Sequence, residues 1–161
     1  MSVSIAKPEE KAGLYSLMNR LLMKGTEKYS SEELSAILDE NAIELCTEMK
    51  YDYLRFRFVA LNEDFEFALS VLSDIILDRG GVIYGCELQD CRKAIHTRAT
   101  TKEQRDGFRG SKYIQSETYH IFEDVKNDVK NGLWVLFSGT SCQVNAVKDF
   151  CKCRHCTGLN I

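Results

Sequence analysis

The chain has 161 residues, 44% hydrophobic and 28% charged, a composition that fits a soluble globular protein of one ordinary domain or two small ones. No apolar run approaches the roughly 20 residues of a membrane span, only one proline is present, and no low-complexity tract interrupts the chain. The net charge of −3 conceals an asymmetry: Met1 to Asp78 carries −7 and Arg79 to Ile161 carries +4. The acidic half argues against general nucleic-acid binding, and the mildly basic half suits a phosphate-bearing ligand as well as an ordinary solvated surface.

Lys11 to Lys24 places Leu14, Leu17, Met18, Leu21 and Leu22 at helical spacing, and Gly25 ends that pattern. Ser30 or Ser31 caps a second helix, with Glu33 or Leu34 in its first turn and Leu34, Ile37 and Leu38 on its inner face. Ala42 to Met49 and Tyr53 to Leu61 read as strands. In the second strand, Tyr53, Arg55 and Arg57 alternate with Leu54, Phe56 and Phe58, so one face is buried and the other wet. Asn62 is a candidate N-cap for a third helix, Phe65 to Leu77, with Phe65, Leu69, Leu72 and Ile76 on one side. The order over this half is ααββα.

The stretches GLYSLMNRLLMKGTEKYSSEEL, AIELCTEMKYDYLRFRFVAL and FEFALSVLSDIIL resemble the opening of the insulinase-like (pitrilysin-family) zinc peptidases. The resemblance spans roughly residues 11–77, and MKGTEKYSSEEL is its most specific phrase. Active members carry H-x-x-E-H on the first helix, two imidazoles binding zinc and a glutamate acting as general base. The matching positions here are Ser16, Asn19 and Arg20. A hydroxyl or an amide does not replace an imidazole ligand, and a guanidinium repels zinc. The resemblance therefore implies a non-catalytic version that expects no zinc and serves as a structural partner of a peptidase-like protein.

Gly80 and Gly81 open the second half. Val82 to Cys86 and Lys93 to Arg98 read as a hairpin across Gln89 to Cys91, and Thr100 or Thr101 caps a short helix through Phe108. RGSKYIQS, Arg109 to Ser116, is a loop of glycine, hydroxyls and two cations. Glu117 to Lys130 reads as a helix with Ile121, Val125 and Val129 inward, closed by Gly132. Leu133 to Phe137 is a short buried strand. Ser138, Gly139 and Thr140 make a small-residue turn, and Cys142 to Asp149 a helix with Val144, Val147 and Cys151 on one face. A strand, a glycine turn and a helix can aim backbone N–H groups and a helix N-terminus at an anion. A thiol at the second helical position would have its thiolate favoured there. An ordinary βα corner with a buried cysteine fits the same residues.

GGVIYGCEL, HTRATTKEQRDGFRGSKYIQS and WVLFSGTSCQVNAVKDF together resemble the beta subunit of coenzyme F(420)-reducing hydrogenases and dehydrogenases, over roughly residues 79–150. That resemblance implies a flavin- and iron-sulfur-dependent oxidoreductase that takes electrons from a donor protein or subunit. It places Arg109, Gly110, Ser111, Lys112, Tyr113, Gln115 and Ser116 as one wall of an FAD site. Ser138, Gly139 and Thr140 become its phosphate-facing turn, and Cys142 a redox or iron-sulfur residue. Arg109 and Lys112 would offset pyrophosphate charge, and Tyr113 would pack on a ring. Ser141 stands where that family usually has proline. The upstream cysteine array and the long C-terminal region of the family have no counterpart in this sequence, so turnover by this chain alone is not expected.

Seven cysteines, an odd number, and an N-terminal stretch with no long apolar segment give the expectation of a reducing compartment, the cytoplasm, without a signal peptide. Cys151, Cys153, His155 and Cys156 have metal-ligand chemistry at unusually tight spacing and read as an incidental tail. Cys86 and Cys91 read as strand and turn residues. His96 and His120 have no nucleophile or acidic partner in a recognised motif, so both read as structural or surface residues. The fold class expected is α/β, with an α+β N-terminal half: a unit over residues 1–77 and a mixed strand-helix unit over 78–161. The two resemblances abut at FALSVLSDIILDRGG, and a chimera of two fragments joined in that helix is the corresponding expectation.

Overall fold

A computed structural model describes residues 2–4, 13–49, 53–90, 92–110, 112–118, 121–151 and 159–160. Strand β1 (Ser2–Ser4) precedes helices α1 (Leu14–Leu22) and α2 (Ser31–Glu40), then strands β2 (Glu44–Met49) and β3 (Tyr53–Val59). Helix α3 (Phe65–Leu77) leads into the hairpin of β4 (Val82–Gln89) and β5 (Lys93–Ala99). Helices α4 (Lys102–Asp106) and α5 (Ile121–Lys130), strand β6 (Val135–Gly139), helix α6 (Ser141–Cys151) and strand β7 (Leu159–Asn160) follow. The chain is thus of mixed α and β class, with two small sheets ordered β1-β3-β2 and β5-β4-β6-β7.

Local chemistry explains the element ends. Ser30 is the cap of α2: the Glu33 N–H donates to Ser30 Oγ at 3.3 Å, and the Ser30 N–H donates to Glu33 Oε2 at 2.9 Å, a complete capping box. Thr101 caps α4, taking the Gln104 N–H at 3.4 Å. Asn62 does not cap α3; it begins a single 3₁₀ turn, Asn62–Asp64, that leads into the helix.

The second sheet is covered on both faces, and its alternation shows how. Ile83 and Leu136 turn toward α3, and they share a buried cluster with Leu22, Leu34, Phe56, Leu72 and Ile76. Val82, Tyr84 and Phe137 turn the other way and pack with Ile121 and Val125 of α5 and Val144 and Val147 of α6. Period-2 strands between two helical layers account for both clusters. Polar ties cross between the N-terminal elements and α4. Arg105 Nη1 meets Asp74 Oδ1 at 2.9 Å, and Lys102 Nζ meets Asp78 Oδ1 at 2.8 Å. Arg79 donates to the Ile75 and Leu22 carbonyls at 2.9 and 3.2 Å.

Two further sequence expectations are corrected. Glu117 does not begin α5; its backbone bonds to β5, with the His96 N–H on the Glu117 carbonyl and the Glu117 N–H on the Ala94 carbonyl, both at 2.9 Å. Ser138 and Gly139 are not turn residues but the last two of β6, because β7 pairs with them in parallel. The helical spacing of Leu14 to Leu22 is that of α1, in which Leu22 is fully buried while Leu17 and Leu21 are 55% and 53% exposed.

Candidate functional site

The chemistry-bearing residues of the second half meet where β5, the loop after α4 and the β6–α6 corner converge. His96 of β5 is buried, its ring stacked on Phe137 at 5.2 Å between centroids. Its Nε2 lies 2.9 Å from the Ser138 carbonyl oxygen, and its Nδ1 lies 2.9 Å from Ser116 Oγ. A carbonyl only accepts, so Nε2 carries the proton and Nδ1 is bare; Ser116 O–H then donates to Nδ1. Burial pushes the His96 pKa below its ordinary value and so favours the neutral ring that this arrangement needs; the hydrogen bond to the Ser138 carbonyl acts in the opposite direction.

Gln143, in the first turn of α6, closes the network. Its Nε2 donates to Ser116 Oγ at 2.9 Å, and its Oε1 takes the Thr140 N–H at 2.9 Å. Gly139 is required by this packing: a Cβ there would stand 2.9 Å from Gln143 Oε1 and 3.3 Å from His96 Nε2. Cys142 is the second residue of α6 and exposed, with Thr140 Oγ1 at 3.1 Å from its Sγ. The Thr140 hydroxyl draws the Cys142 thiol pKa down, helped by N–H groups at the start of the helix.

The remaining loop residues make no hydrogen bond to His96, Ser116 or Gln143 among those described. Lys112 folds back on its own loop: Nζ donates to the Phe108, Arg109 and Gly110 carbonyls at 2.7, 2.5 and 3.0 Å. Its charge is already engaged by backbone oxygens. Arg109 is mostly exposed, with one loose contact to Asp106 at 3.4 Å. Gly110 adopts φ +82°, which suits glycine. Tyr113 is 96% exposed and Gln115 is exposed. Ser111 lies outside the described residues. The Thr140 N–H, expected to face a phosphate, is taken by Gln143.

A cleft of about 840 Å³ opens beside Ser116, lined by Gln115, Glu117, Thr118, Phe122, Glu123 and Phe150. Sequence reasoning missed His96 and Gln143 as partners of Ser116. The signal was weak, because 20 residues separate His96 from Ser116 and 27 separate Ser116 from Gln143. Among the described residues, no three His, Cys, Asp or Glu side chains gather as a metal site. Cys91, Cys153, His155, Cys156 and His120 lie outside the described residues.

Helix α1 carries Ser16, Asn19 and Arg20. Ser16 and Arg20 are exposed. Asn19 is half-buried, and its Oδ1 is enclosed without a hydrogen-bond partner among the described residues. No helix of the described residues is long and apolar enough to cross a membrane. A comparison with curated proteins finds no match. The profile of the family described as Insulinase (Peptidase family M16) matches residues 4–106, more than half of the chain. Helix α1, the strands β2 and β3 and helix α3 all fall inside that match, and the chain belongs to the insulinase family, peptidase family M16.

Proposed function

We propose that this chain is a non-catalytic insulinase-family module that acts as an interaction or scaffold element beside a peptidase-like partner. The observation that carries this reading is the trio on α1. Ser16, Asn19 and Arg20 occupy the positions where H-x-x-E-H would supply two imidazoles and a general base. One exposed hydroxyl, one amide and one guanidinium provide neither zinc ligands nor a proton acceptor near neutral pH. The test is a zinc titration of the purified chain with a fluorogenic peptide. The expected result is no stoichiometric zinc and no chelator-sensitive cleavage. Cleavage that disappears in Asn19→Ala would overturn the reading.

A second reading concerns the C-terminal half: a flavin- and iron-sulfur-dependent oxidoreductase unit of the coenzyme F(420) hydrogenase beta-subunit type. It is supported by the meeting of the Arg109–Ser116 loop with the β6–α6 corner through Ser116 and Gln143. The fit is partial. Arg109 is exposed and only loosely paired with Asp106, at 3.4 Å, whereas Lys112 and the Thr140 N–H are engaged within the protein. When bound, FAD would supply the redox chemistry, and these residues would hold and orient it. An absorption spectrum with flavin bands that weaken in Arg109→Ala supports this reading. A colourless protein that binds no added FAD rejects it.

A further inference from the structure

We propose that Ser116 is an acyl-transfer nucleophile activated by His96, working in a cleft that takes small apolar esters. The inference rests on neither family reading, because the chemistry uses only groups this chain supplies. Three hydrogen bonds of 2.9 Å define it: Ser116 Oγ to His96 Nδ1, His96 Nε2 to the Ser138 carbonyl, and Gln143 Nε2 to Ser116 Oγ. The first puts a bare ring nitrogen within proton-transfer reach of the hydroxyl. The second fixes the tautomer, as a carboxylate does in serine hydrolases, although here the ring is used in the opposite sense. The third occupies one lone pair of Oγ and leaves another for attack.

Burial adds to this arrangement. His96 is enclosed and stacked on Phe137, so its ring stays neutral near pH 7 and cannot swing away from Ser116 without losing both contacts. Ser116 is half-buried and is one of the residues that line the cleft. Phe122 and Phe150, with ring centroids 5.7 Å apart, form an apolar surface in that cleft. Glu117 and Glu123 also line the cleft; Lys93 pairs with Glu117 at 2.9 Å and Lys126 Nζ lies 4.9 Å from the Phe150 ring centre, so the aromatic pair rather than net charge sets what the cleft takes.

In the acyl-transfer step, Ser116 Oγ bonds to the ester carbonyl carbon while its proton passes to His96 Nδ1. The acyl–oxygen bond of the ester then breaks, and the departing alcohol takes that proton. Water attacks the acyl-serine, His96 accepts the water's proton, and Ser116 is restored as the carboxylic acid leaves. Ester and water become acid and alcohol. The second N–H on Gln143 Nε2 is a donor for the oxyanion.

The experiment treats the full chain with a fluorophosphonate probe and locates the label by peptide mass spectrometry. The expected result is a label on Ser116 that forms about 100-fold more slowly in His96→Gln, which keeps a donor toward the Ser138 carbonyl but removes the base. No label on Ser116, or equal labelling in His96→Gln, overturns the proposal. Should His96→Gln not fold, the Ser116→Cys variant gives an independent reading by iodoacetamide alkylation at pH 6. Its thiol is expected to react about tenfold faster than exposed Cys46 in the same chain, because a neighbouring imidazole favours the thiolate. A rate no greater than that of Cys46 refutes activation by His96.

Discussion

Replacing Tyr84 by Phe tests whether the buried polar knot behind β4 stabilises the fold through one hydrogen bond. Tyr84 is fully buried, and its hydroxyl donates to Asp128 Oδ2 at 2.6 Å. Arg98 holds the same carboxylate from the other side, Nε at 2.7 Å and Nη2 at 3.1 Å. A hydrogen bond to a charged group contributes ~1.5–3 kcal/mol. The two bonds from Arg98 survive in Tyr84→Phe, so the carboxylate is not orphaned and the loss falls near ~1.5 kcal/mol. For a chain of this size that is a drop of about 3–6 °C in Tm.

Asp128→Ala is more severe. It leaves the Tyr84 hydroxyl buried without an acceptor and releases Arg98, whose side chain is 36% exposed and can turn to water. The expected loss is about 3 kcal/mol, at the low end for breaking a buried pair. The decisive measurement is a double-mutant cycle by urea denaturation. In the Asp128→Ala background, Tyr84→Phe removes an unsatisfied donor, so its effect should vanish or become stabilising. If Tyr84→Phe is equally destabilising in both backgrounds, the hydrogen bond is not the cause and the argument fails. Alkaline titration gives a second check. Burial, helped by the Asp128 carboxylate, pushes the Tyr84 pKa far above its ordinary value, so the folded state keeps this proton after the unfolded state has lost it. Stability from this group is complete below about pH 10 and falls as pH rises beyond it, and Tyr84→Phe should flatten that limb.

Two further outcomes are expected. Gly85→Ala would place a Cβ 2.4 Å from Phe108 Cδ2, and the overpacking should cost ~1–3 kcal/mol in a thermal or urea melt; in a Phe108→Ala background the same change should be close to neutral. Burial lowers the His96 pKa from its ordinary 6.5, so the unfolded state binds a proton that the folded state refuses. The His96 contribution is therefore present above that value and is lost as pH falls through the folded pKa, and urea midpoints between pH 7 and pH 5 should fall less steeply in His96→Gln than in the parent chain.

Much of the secondary structure was legible in local pattern. Phe65 to Leu77 is helical over the predicted span, and the hairpin of β4 and β5 lies where turn residues and β-branched runs placed it. The class of mixed helices and strands and the insulinase-family relationship followed from residues that act locally or in contiguous phrases. Element ends that depend on a distant partner were misjudged. Glu117 has helical neighbours but is drawn onto β5, and Ser138 and Gly139 look like a turn until β7 pairs with them.

The candidate site divides in the same way. Glycine, hydroxyl and cation loops were visible as such in the sequence, but their roles were not. Lys112 resembles a phosphate-binding cation until its ammonium is found on three carbonyls of its own loop. His96, with no partner nearby in the chain, becomes the centre of a network once the hairpin, the loop and the β6–α6 corner are packed together. Backbone propensity and side-chain periodicity are properties of neighbouring residues, so the sequence by itself determined most of the helices and the longer strands. Hydrogen bonds reach only about 3 Å, and which groups come within that distance was decided by the tertiary structure alone.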